Sequence, residues 1–250
     1  QDFEPAQRCR IFCRTVIDSV DFDELVAKSK KPFLVPYDLD QNDPTNLPVT
    51  EFALHPKVLG TVSRYIGSMP VLLKSSIWYS NGEDVGGRSQ FFHLDGEDIR
   101  TIKLLFMLED VDISTRPFTI ISARRSKQAY RRLKRNGKIK FRNEKIPDEV
   151  FFSYTEKSSV VPLTGTAGTA AFVDPTRCYH YGSRMGTKPR WLLMLHYQSA
   201  FSSDLPVLGK RIRAPRLVSE VFDNDVSASV LGYTHQHIIE VKRARIAQKV

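Results

Sequence analysis

The feature that most constrains the fold is a series of short apolar segments between residues 70 and 200, each bounded by turn residues. Their side chains are rich in β-branched and aromatic residues, which favour strands. The segments are PVLLKSSIWYS, SQFFHLD, IKLLFMLEDV, FTIISA, SVVPLTG, GTAAFVD and WLLMLHYQS. Short strands at this spacing are typical of a β-sandwich or barrel, and a chain of 250 residues can form a single such domain.

The chain outside this series has a different pattern. Residues 5–30 place apolar side chains at helical spacing, and residues 55–67 open near Pro56 and stop at Gly67, as a helix does. Residues 30–48 contain several Pro, Asn and Asp residues and predict a loop. We therefore expect one domain over 1–250, made of a helical N-terminal part (1–68), a β core (about 70–200) with a basic insert (123–145), and a C-terminal extension (203–250).

Composition excludes several classes of protein. Hydrophobic residues make up 41% and charged residues 26% of the chain, which excludes a disordered or fibrous protein. Apolar runs such as KLLFML are far shorter than the roughly 18 residues of a membrane helix, so we expect no transmembrane segment. Cys9, Cys13 and Cys178 form an odd set without zinc-type spacing, which favours a reducing, cytoplasmic compartment. We expect Cys9 and Cys13, four residues apart in a predicted helix, to be buried thiols.

The charge of the chain predicts an anionic partner. The net charge is +9, and residues 123–145 alone carry eleven Lys or Arg against one Glu. The simplest interpretation of this insert is a solvated helix and loop. Tyr130 and Phe141 are its only aromatic residues and no nucleic-acid-binding motif accompanies it, so nucleic acid is a less favoured partner than an anionic small molecule.

The stretch FFHLDGED (91–98) contains a candidate metal-binding pair. His93 and Asp95 are two residues apart, and alternate side chains of a strand share a face. An imidazole and a carboxylate on one face supply two of the three ligands of a 2-His-1-carboxylate iron site. The same spacing also arises by chance, so the pair needs a third ligand to be informative.

His180 is the candidate for the third ligand. It lies in a polar loop between two apolar strands, far enough after Asp95 for several strands to fold back. Arg190 opens the next strand, where a guanidinium could pair bidentately with a carboxylate beside the metal. Considered singly, His180 is better explained as a surface-loop histidine and Arg190 as a strand-end cation.

Taken together, these residues resemble the phytanoyl-CoA dioxygenase-like family of Fe(II)/2-oxoglutarate oxygenases. The order is H-x-D, then a distant His, then an Arg ten residues later at the start of an apolar strand. Residues 93–127 and the stretch GTAGTAAFVDPTRCYHYGS are also similar to the family's sequence. The resemblance covers roughly residues 70–200. It implies an α+β protein, mainly β with flanking helices, whose core is a double-stranded β-helix of the jelly-roll or cupin-like kind.

The resemblance implies a metal site and a cosubstrate. His93, Asp95 and His180 would bind Fe(II), and Arg190 would bind the distal carboxylate of 2-oxoglutarate. Arg184 is an alternative to Arg190.

Two further residues are candidates for contact with 2-oxoglutarate. Many relatives have Ser two residues after the distal His, whereas this chain has Gly182 there and Ser183 next, so Ser183 requires a shift of one residue. Lys103 could reach the cosubstrate if its face of the strand is inward, and an outward, solvated Lys103 is the alternative.

The implied activity is hydroxylation by O2 of a small anionic metabolite or a lipid- or sugar-type substrate, with release of succinate and carbon dioxide. Asp95 favours hydroxylation because related halogenases have a small residue at the carboxylate position. The substrate and the oligomeric state stay open. Two other classes are also compatible with the sequence: a basic module that binds nucleic acid or a membrane surface, and a metal-binding β-helix protein without oxygenase activity.

Overall fold

The computed structural model describes residues 3–41, 43–81, 88–97, 100–184 and 186–199. The C-terminal extension expected over 203–250 lies outside the described residues. Among the residues that are described, no helix combines the length and apolar character needed to cross a membrane.

Helices precede the β core and also interrupt it. They are α1 (Glu4–Ser19), α2 (Phe22–Lys28), α3 (Leu47–Leu54), α4 (Pro56–Ile66), α5 (Ala123–Arg135) and α6 (Asp148–Phe152). The helix predicted over 55–67 is α4. It ends at Gly67, whose φ of 81° lies in the left-handed region that glycine adopts without strain.

The strands form two antiparallel sheets. They are β1 (Val35–Leu39), β2 (Pro70–Ser80), β3 (Thr101–Met107), β4 (Thr119–Ile121), β5 (Val160–Pro162), β6 (Ala170–Val173), β7 (His180–Tyr181) and β8 (Arg190–Ser199). The larger sheet has the order β1-β2-β8-β3-β6, and the smaller sheet has the order β5-β4-β7. Strands that are consecutive in the sequence are therefore often not adjacent in a sheet, and strands from distant parts of the chain pair with each other.

Two segments differ from the sequence-based expectation. The loop predicted over 30–48 contains β1, which pairs with β2 at the edge of the larger sheet, where a strand tolerates Pro36. The strand predicted over 89–95 is instead a 3-10 turn (Arg88–Gln90) followed by single β-bridges at Phe92 and His93. The alternation of a regular strand therefore does not explain the orientation of His93 and Asp95.

The N-terminal helices cover one face of the larger sheet. Phe52 of α3 packs against Phe106 of β3 with ring centroids 4.9 Å apart, and the Tyr197 hydroxyl donates to the carbonyl of Ala53 at 2.9 Å. Cys9 and Cys13 of α1 are completely buried here, as the sequence predicted. Burial raises the pKa of the Cys9 thiol well above its ordinary value, so this residue packs as a small apolar side chain.

A second core lies behind the smaller sheet and contains α5 and α6. Phe92 stacks on Phe151 with ring centroids 4.0 Å apart, and Tyr179 packs edge-on against Phe151. One side of α5 contributes Ala129 and Leu133 to this cluster. The basic insert is therefore packed against the segments that carry His93 and His180.

Candidate metal centre

The three predicted metal ligands converge at one point. The ligand atoms of His93, Asp95 and His180 all lie within 4.8 Å of one another. Asp95 Oδ1 is 3.6 Å from Nε2 of each histidine. Atoms at this separation can both lie about 2.1 Å from a single metal ion, which is an ordinary distance for imidazole and carboxylate ligands.

Backbone hydrogen bonds hold the two ligand-bearing segments together. His93 and His180 form a β-bridge in which each backbone N–H donates to the other residue's carbonyl at 3.0 Å. The backbone N–H of Asp95 donates to the carbonyl of Pro175 at 3.0 Å. These tertiary contacts bring the three side chains to the same side.

The histidine rings are oriented with Nε2 toward Asp95. Nδ1 of His93 is 2.8 Å from the carbonyl of Phe91, and Nδ1 of His180 is 3.0 Å from the carbonyl of Cys178. A carbonyl oxygen at this position accepts a hydrogen bond from Nδ1–H, which leaves the Nε2 lone pair free for a metal. The ring of Phe118 stacks on His180, with centroids 5.0 Å apart, and limits its rotation.

Burial and charge give the three side chains the protonation states that a metal requires. Burial lowers the pKa of His93 to about 3 and also lowers the pKa of His180, so both imidazoles are neutral near pH 7. Burial alone would raise the pKa of Asp95, but the charge and hydrogen bond of Lys103, together with the two neighbouring histidines, lower it below its ordinary value and keep the carboxyl ionised. Two neutral imidazoles and one carboxylate form a donor set that suits Fe(II) with positions left open.

Lys103 points inward and is already bound to carboxylates. Its Nζ lies 2.6 Å from Asp95 Oδ2 and 3.3 Å from Glu97 Oε1. Glu97 Oε2 in turn is 3.1 Å from Nε2 of His196, which also contacts the Thr101 hydroxyl at 2.8 Å. Asp95 therefore uses one oxygen for Lys103 and keeps the other facing the histidines.

Glu97 and His196 were not identified from the sequence. The available signal was the spacing of Glu97, which stands two residues after Asp95 as Asp95 stands after His93. His196 could not be found in this way, because its link to the site depends on its being the register partner of Lys103 across β3 and β8.

A cavity of about 310 Å³ opens at the metal centre. Its lining includes all six residues predicted for metal and cosubstrate, namely His93, Asp95, Lys103, His180, Ser183 and Arg190. Trp78, Leu105 and Phe118 supply apolar parts of the wall. Tyr79, the neighbour of Trp78, is not among the lining residues and stacks on Trp191 with ring centroids 4.1 Å apart.

Arg190 provides a buried cation in this cavity. Its side chain is only 3% exposed, and neither Nε nor Nη1 has a hydrogen-bond partner among the described residues. Burial lowers the pKa of Arg190 to about 10, so the guanidinium remains charged at neutral pH. Ser183 Oγ is likewise buried without a partner in the described part of the chain. Both groups can accept an anionic ligand without breaking an existing contact.

Arg184, the alternative to Arg190, has a different environment. Its Nη1 lies 2.8 Å from Asp148 Oδ1, and its guanidinium carbon lies 3.5 Å above the ring centroid of Tyr181. It is not among the residues that line the described cavity. The structure therefore brings Arg190, rather than Arg184, to the predicted metal ligands.

The fold and this side-chain cluster define a double-stranded β-helix protein with a two-histidine, one-carboxylate candidate metal site. No protein-family model matches the sequence. A search of curated proteins also finds no match.

Solved structures with the same fold are found by structural comparison. HygX from Streptomyces hygroscopicus, with nickel and 2-oxoglutarate bound, is 14% identical with a TM-score of 0.55, covering 78% of this chain and 80% of that one. EctD from S. alaskensis, with 2-oxoglutarate and 5-hydroxyectoine, is 15% identical with a TM-score of 0.52, covering 80% and 69%. A HygX structure with nickel, 2-oxoglutarate and hygromycin B is 11% identical with a TM-score of 0.51, covering 80% of each chain. These similarities confirm the predicted fold.

Proposed function

We propose that the protein is an Fe(II)- and 2-oxoglutarate-dependent dioxygenase that hydroxylates a small anionic substrate and releases succinate and carbon dioxide. The observation that carries the proposal is the presence, in one cavity, of the converging ligands His93, Asp95 and His180 and of the buried Arg190. A 2-oxo diacid needs both features, because its 2-oxo acid end binds the metal while its distal carboxylate needs a cation. The 2-oxoglutarate-bound structures of HygX and EctD, which share the fold, support this assignment.

Each residue has a specific role in this proposal. Nε2 of His93, Oδ1 of Asp95 and Nε2 of His180 hold the ferrous ion, which together with bound 2-oxoglutarate supplies the power to oxidise a C–H bond with O2. Arg190 binds the distal carboxylate, and Ser183 Oγ donates a hydrogen bond to the same cosubstrate. Lys103 holds Asp95 through Oδ2 and is the third proposed contact with the cosubstrate.

The cavity favours a small substrate. Its volume of about 310 Å³ is at the lower end of the roughly 300–1,000 Å³ found for ligand pockets. The cosubstrate takes part of this space. Only a small metabolite, or the end of a longer molecule, would then reach the metal centre, beside which Phe118 and Leu105 form an apolar wall.

The proposal also covers the family, the domain organisation and the cellular location of the protein. The order of the H-x-D pair, His180 and Arg190 supports membership of the phytanoyl-CoA dioxygenase-like family. We propose that residues 1–250 form a single domain, in which the helical part and the β core share the hydrophobic cluster around Phe52 and Phe106. The buried free thiols of Cys9 and Cys13 favour a reducing, cytoplasmic compartment.

Anaerobic addition of Fe(II) and 2-oxoglutarate tests the proposal. We expect a visible metal-to-ligand charge-transfer band, followed by succinate formation once oxygen is admitted. His93→Ala and Asp95→Ala should lose both signals. His55→Gln is the matched control, because His55 precedes α4 and does not line the cavity. Folded, metal-loaded wild-type protein that gives neither the band nor succinate would contradict the assignment.

A further inference from the structure

The C-terminal end of the basic insert forms part of the cavity wall. Nη2 of Arg142 donates to the carbonyl of Thr176 at 2.6 Å, and Ile146 exchanges two backbone hydrogen bonds with Phe92 at 2.8 and 3.1 Å. Between these anchors, Asn143 lies so close to Gly96 that a Cβ on Gly96 would be 2.8 Å from Asn143 Nδ2. The wall is therefore fixed at both ends and lies directly against the turn that follows Asp95.

Lys145 brings a positive charge from this wall into the cavity. Its side chain is exposed and lines the same cavity as His93, Asp95 and His180. The neighbouring acid, Glu144, is turned away and accepts from the backbone N–H groups of Lys140 and Phe141. Within the described residues, no carboxylate lies within ion-pair distance of Lys145.

Lys31 brings a second cation to the same cavity from another part of the chain. It lies between α2 and β1, and its neighbours Leu34 and Pro36 also line the cavity. Its side chain is exposed, and the described part of the chain places no carboxylate within ion-pair distance of it.

The other cations of the site already have binding partners or an assigned ligand. Lys103 is neutralised by Asp95 and Glu97, and Arg190 is assigned to the cosubstrate. Of the Lys and Arg residues in the described insert 123–145, Lys145 is the one that lines the cavity, while Arg125 of α5 pairs with Glu156 on the outer surface. Two like charges that face one cavity repel each other, and a bound anion relieves this repulsion.

We infer that Lys31 and Lys145 bind an anionic group of the substrate, a carboxylate or a phosphate, at the mouth of the cavity. The Asn143 side chain lies beside this position and offers an amide hydrogen bond to the same group. The bound anion anchors the substrate in the cavity that the candidate metal ligands also line. The oxidation step rests on the proposed function, whereas the anion site itself requires no metal.

Titration with two simple anions tests this inference. Wild-type protein is loaded with Ni(II) and 2-oxoglutarate so that Arg190 is occupied, and binding of inorganic phosphate, acetate and neutral acetamide is measured by calorimetry. We expect at least one of the two anions to bind, and acetamide not to bind. Phosphate as the tighter ligand indicates a phosphorylated substrate, and acetate as the tighter ligand indicates a carboxylic acid.

Charge-removing variants identify the binding residues. Lys31→Met and Lys145→Met should each weaken binding of the preferred anion about tenfold, because each removes one of two cations. Lys127→Met is the matched control, since Lys127 is exposed on α5 and does not line the cavity; it should change the affinity less than twofold. Circular dichroism checks that all three variants are folded.

Two outcomes overturn the inference: wild-type protein that binds neither anion, and Lys31→Met and Lys145→Met variants that weaken binding no more than Lys127→Met does. The anion site and the proposed oxygenase function can be tested separately. Anion binding that depends on Lys31 and Lys145, without the charge-transfer band from Fe(II) and 2-oxoglutarate, would keep the anion site and overturn the oxygenase assignment. The band without any anion binding would do the reverse.

Discussion

At the scale of single residues, the two oxygens of Asp95 have different partners. Oδ2 is bound by Lys103, whereas Oδ1 faces the two histidines. Because the Lys103 side chain is only 11% exposed, its charge is stabilised by these carboxylates and not by water. Lys103 is therefore a positioning residue that fixes which oxygen of Asp95 is available to a metal.

Removal of Lys103 should be costly for stability. Lys103→Met leaves the partly buried carboxylates of Asp95 and Glu97 without this cation. Loss of one partner of a fully buried pair costs about 3–5 kcal/mol, so we expect a loss toward the lower end of this range. Lys74→Met is the matched control, because the Lys74–Asp38 pair is largely exposed and should contribute less than about 1 kcal/mol. Urea unfolding of the metal-free proteins measures both values. Equal losses for the two variants would contradict the positioning role.

The buried histidines should make the stability of the metal-free protein depend on pH. Burial lowers the pKa of His93 to about 3, while the unfolded chain keeps a value of about 6.5. Below about pH 6.5 the unfolded state binds more protons than the folded state does. The free energy of unfolding therefore decreases as pH falls from about 6.5 toward 4.5. The loss should be on the order of 1 kcal/mol per pH unit for each such histidine.

Urea unfolding in the presence of a chelator at several pH values measures this dependence. His93→Gln removes one titrating group and should reduce the slope between about pH 6.5 and 4.5. A variant with the same slope as the wild-type protein would show that His93 does not titrate differently in the folded and unfolded states.

At the scale of elements, α5 supports the segment that carries His180. Ser126 Oγ of α5 accepts from the backbone N–H of Tyr179 at 2.8 Å and donates to the carbonyl of Ile121 at 3.1 Å. The exposed side of the same helix carries cations such as Lys127, in agreement with the solvated helix that the sequence predicted. One helix therefore has a structural face next to the metal centre and a charged outer face.

Ser126→Ala tests this support. The change leaves the buried N–H of Tyr179 without its acceptor, and an unsatisfied group of this kind costs about 1–3 kcal/mol. It should also weaken Ni(II) binding, because Tyr179 precedes His180 directly. Lys127→Ala, one position away on the exposed side, should change the unfolding free energy by less than about 0.5 kcal/mol. An effect of Ser126→Ala no larger than that of Lys127→Ala would be evidence against the role of α5.

At the scale of the whole molecule, the candidate site joins the two sheets. His180 belongs to β7 of the smaller sheet, whereas Lys103 and Arg190 belong to β3 and β8 of the larger sheet. A cosubstrate that contacts both the metal and Arg190 would link these sheets. Ligand binding should therefore stabilise the fold as a whole.

Arg190→Leu should separate the effects of metal and cosubstrate. At 100 times its dissociation constant a ligand stabilises a protein by about 2.7 kcal/mol, and we expect successive increases in melting temperature with Ni(II) and then 2-oxoglutarate. Arg190→Leu should keep the first increase and lose the second. Arg125→Leu, on the outer surface, should keep both increases.

Without ligands, Arg190→Leu should be at least as stable as the wild-type protein, because the variant no longer buries a guanidinium that lacks a carboxylate partner in the described residues. Retention of the full 2-oxoglutarate increment would exclude Arg190 as its binding residue.

The elements that could be predicted are those with a strong local pattern. The run PVLLKSSIWYS coincides with β2, and the boundaries of α4 follow from Pro56 and Gly67. β1 was not predicted because the residues around it are mostly loop-forming Pro, Asn and Asp. The strand forms only by pairing with β2, which is distant in the sequence. The inward direction of Lys103 stayed open in the sequence because every residue of β3 is buried, so no alternation marks an inner face.

The sequence by itself determined the chemistry available to this protein: two imidazoles, a carboxylate and a guanidinium in a recognisable order. The tertiary structure decided that they meet, and how. His93 and Asp95 share a side because of hydrogen bonds to His180 and Pro175. Arg190 rather than Arg184 enters the cavity, since Asp148 binds the latter. The physical reason is that residue type fixes what an atom can bind, whereas burial and long-range pairing fix which atoms are within reach.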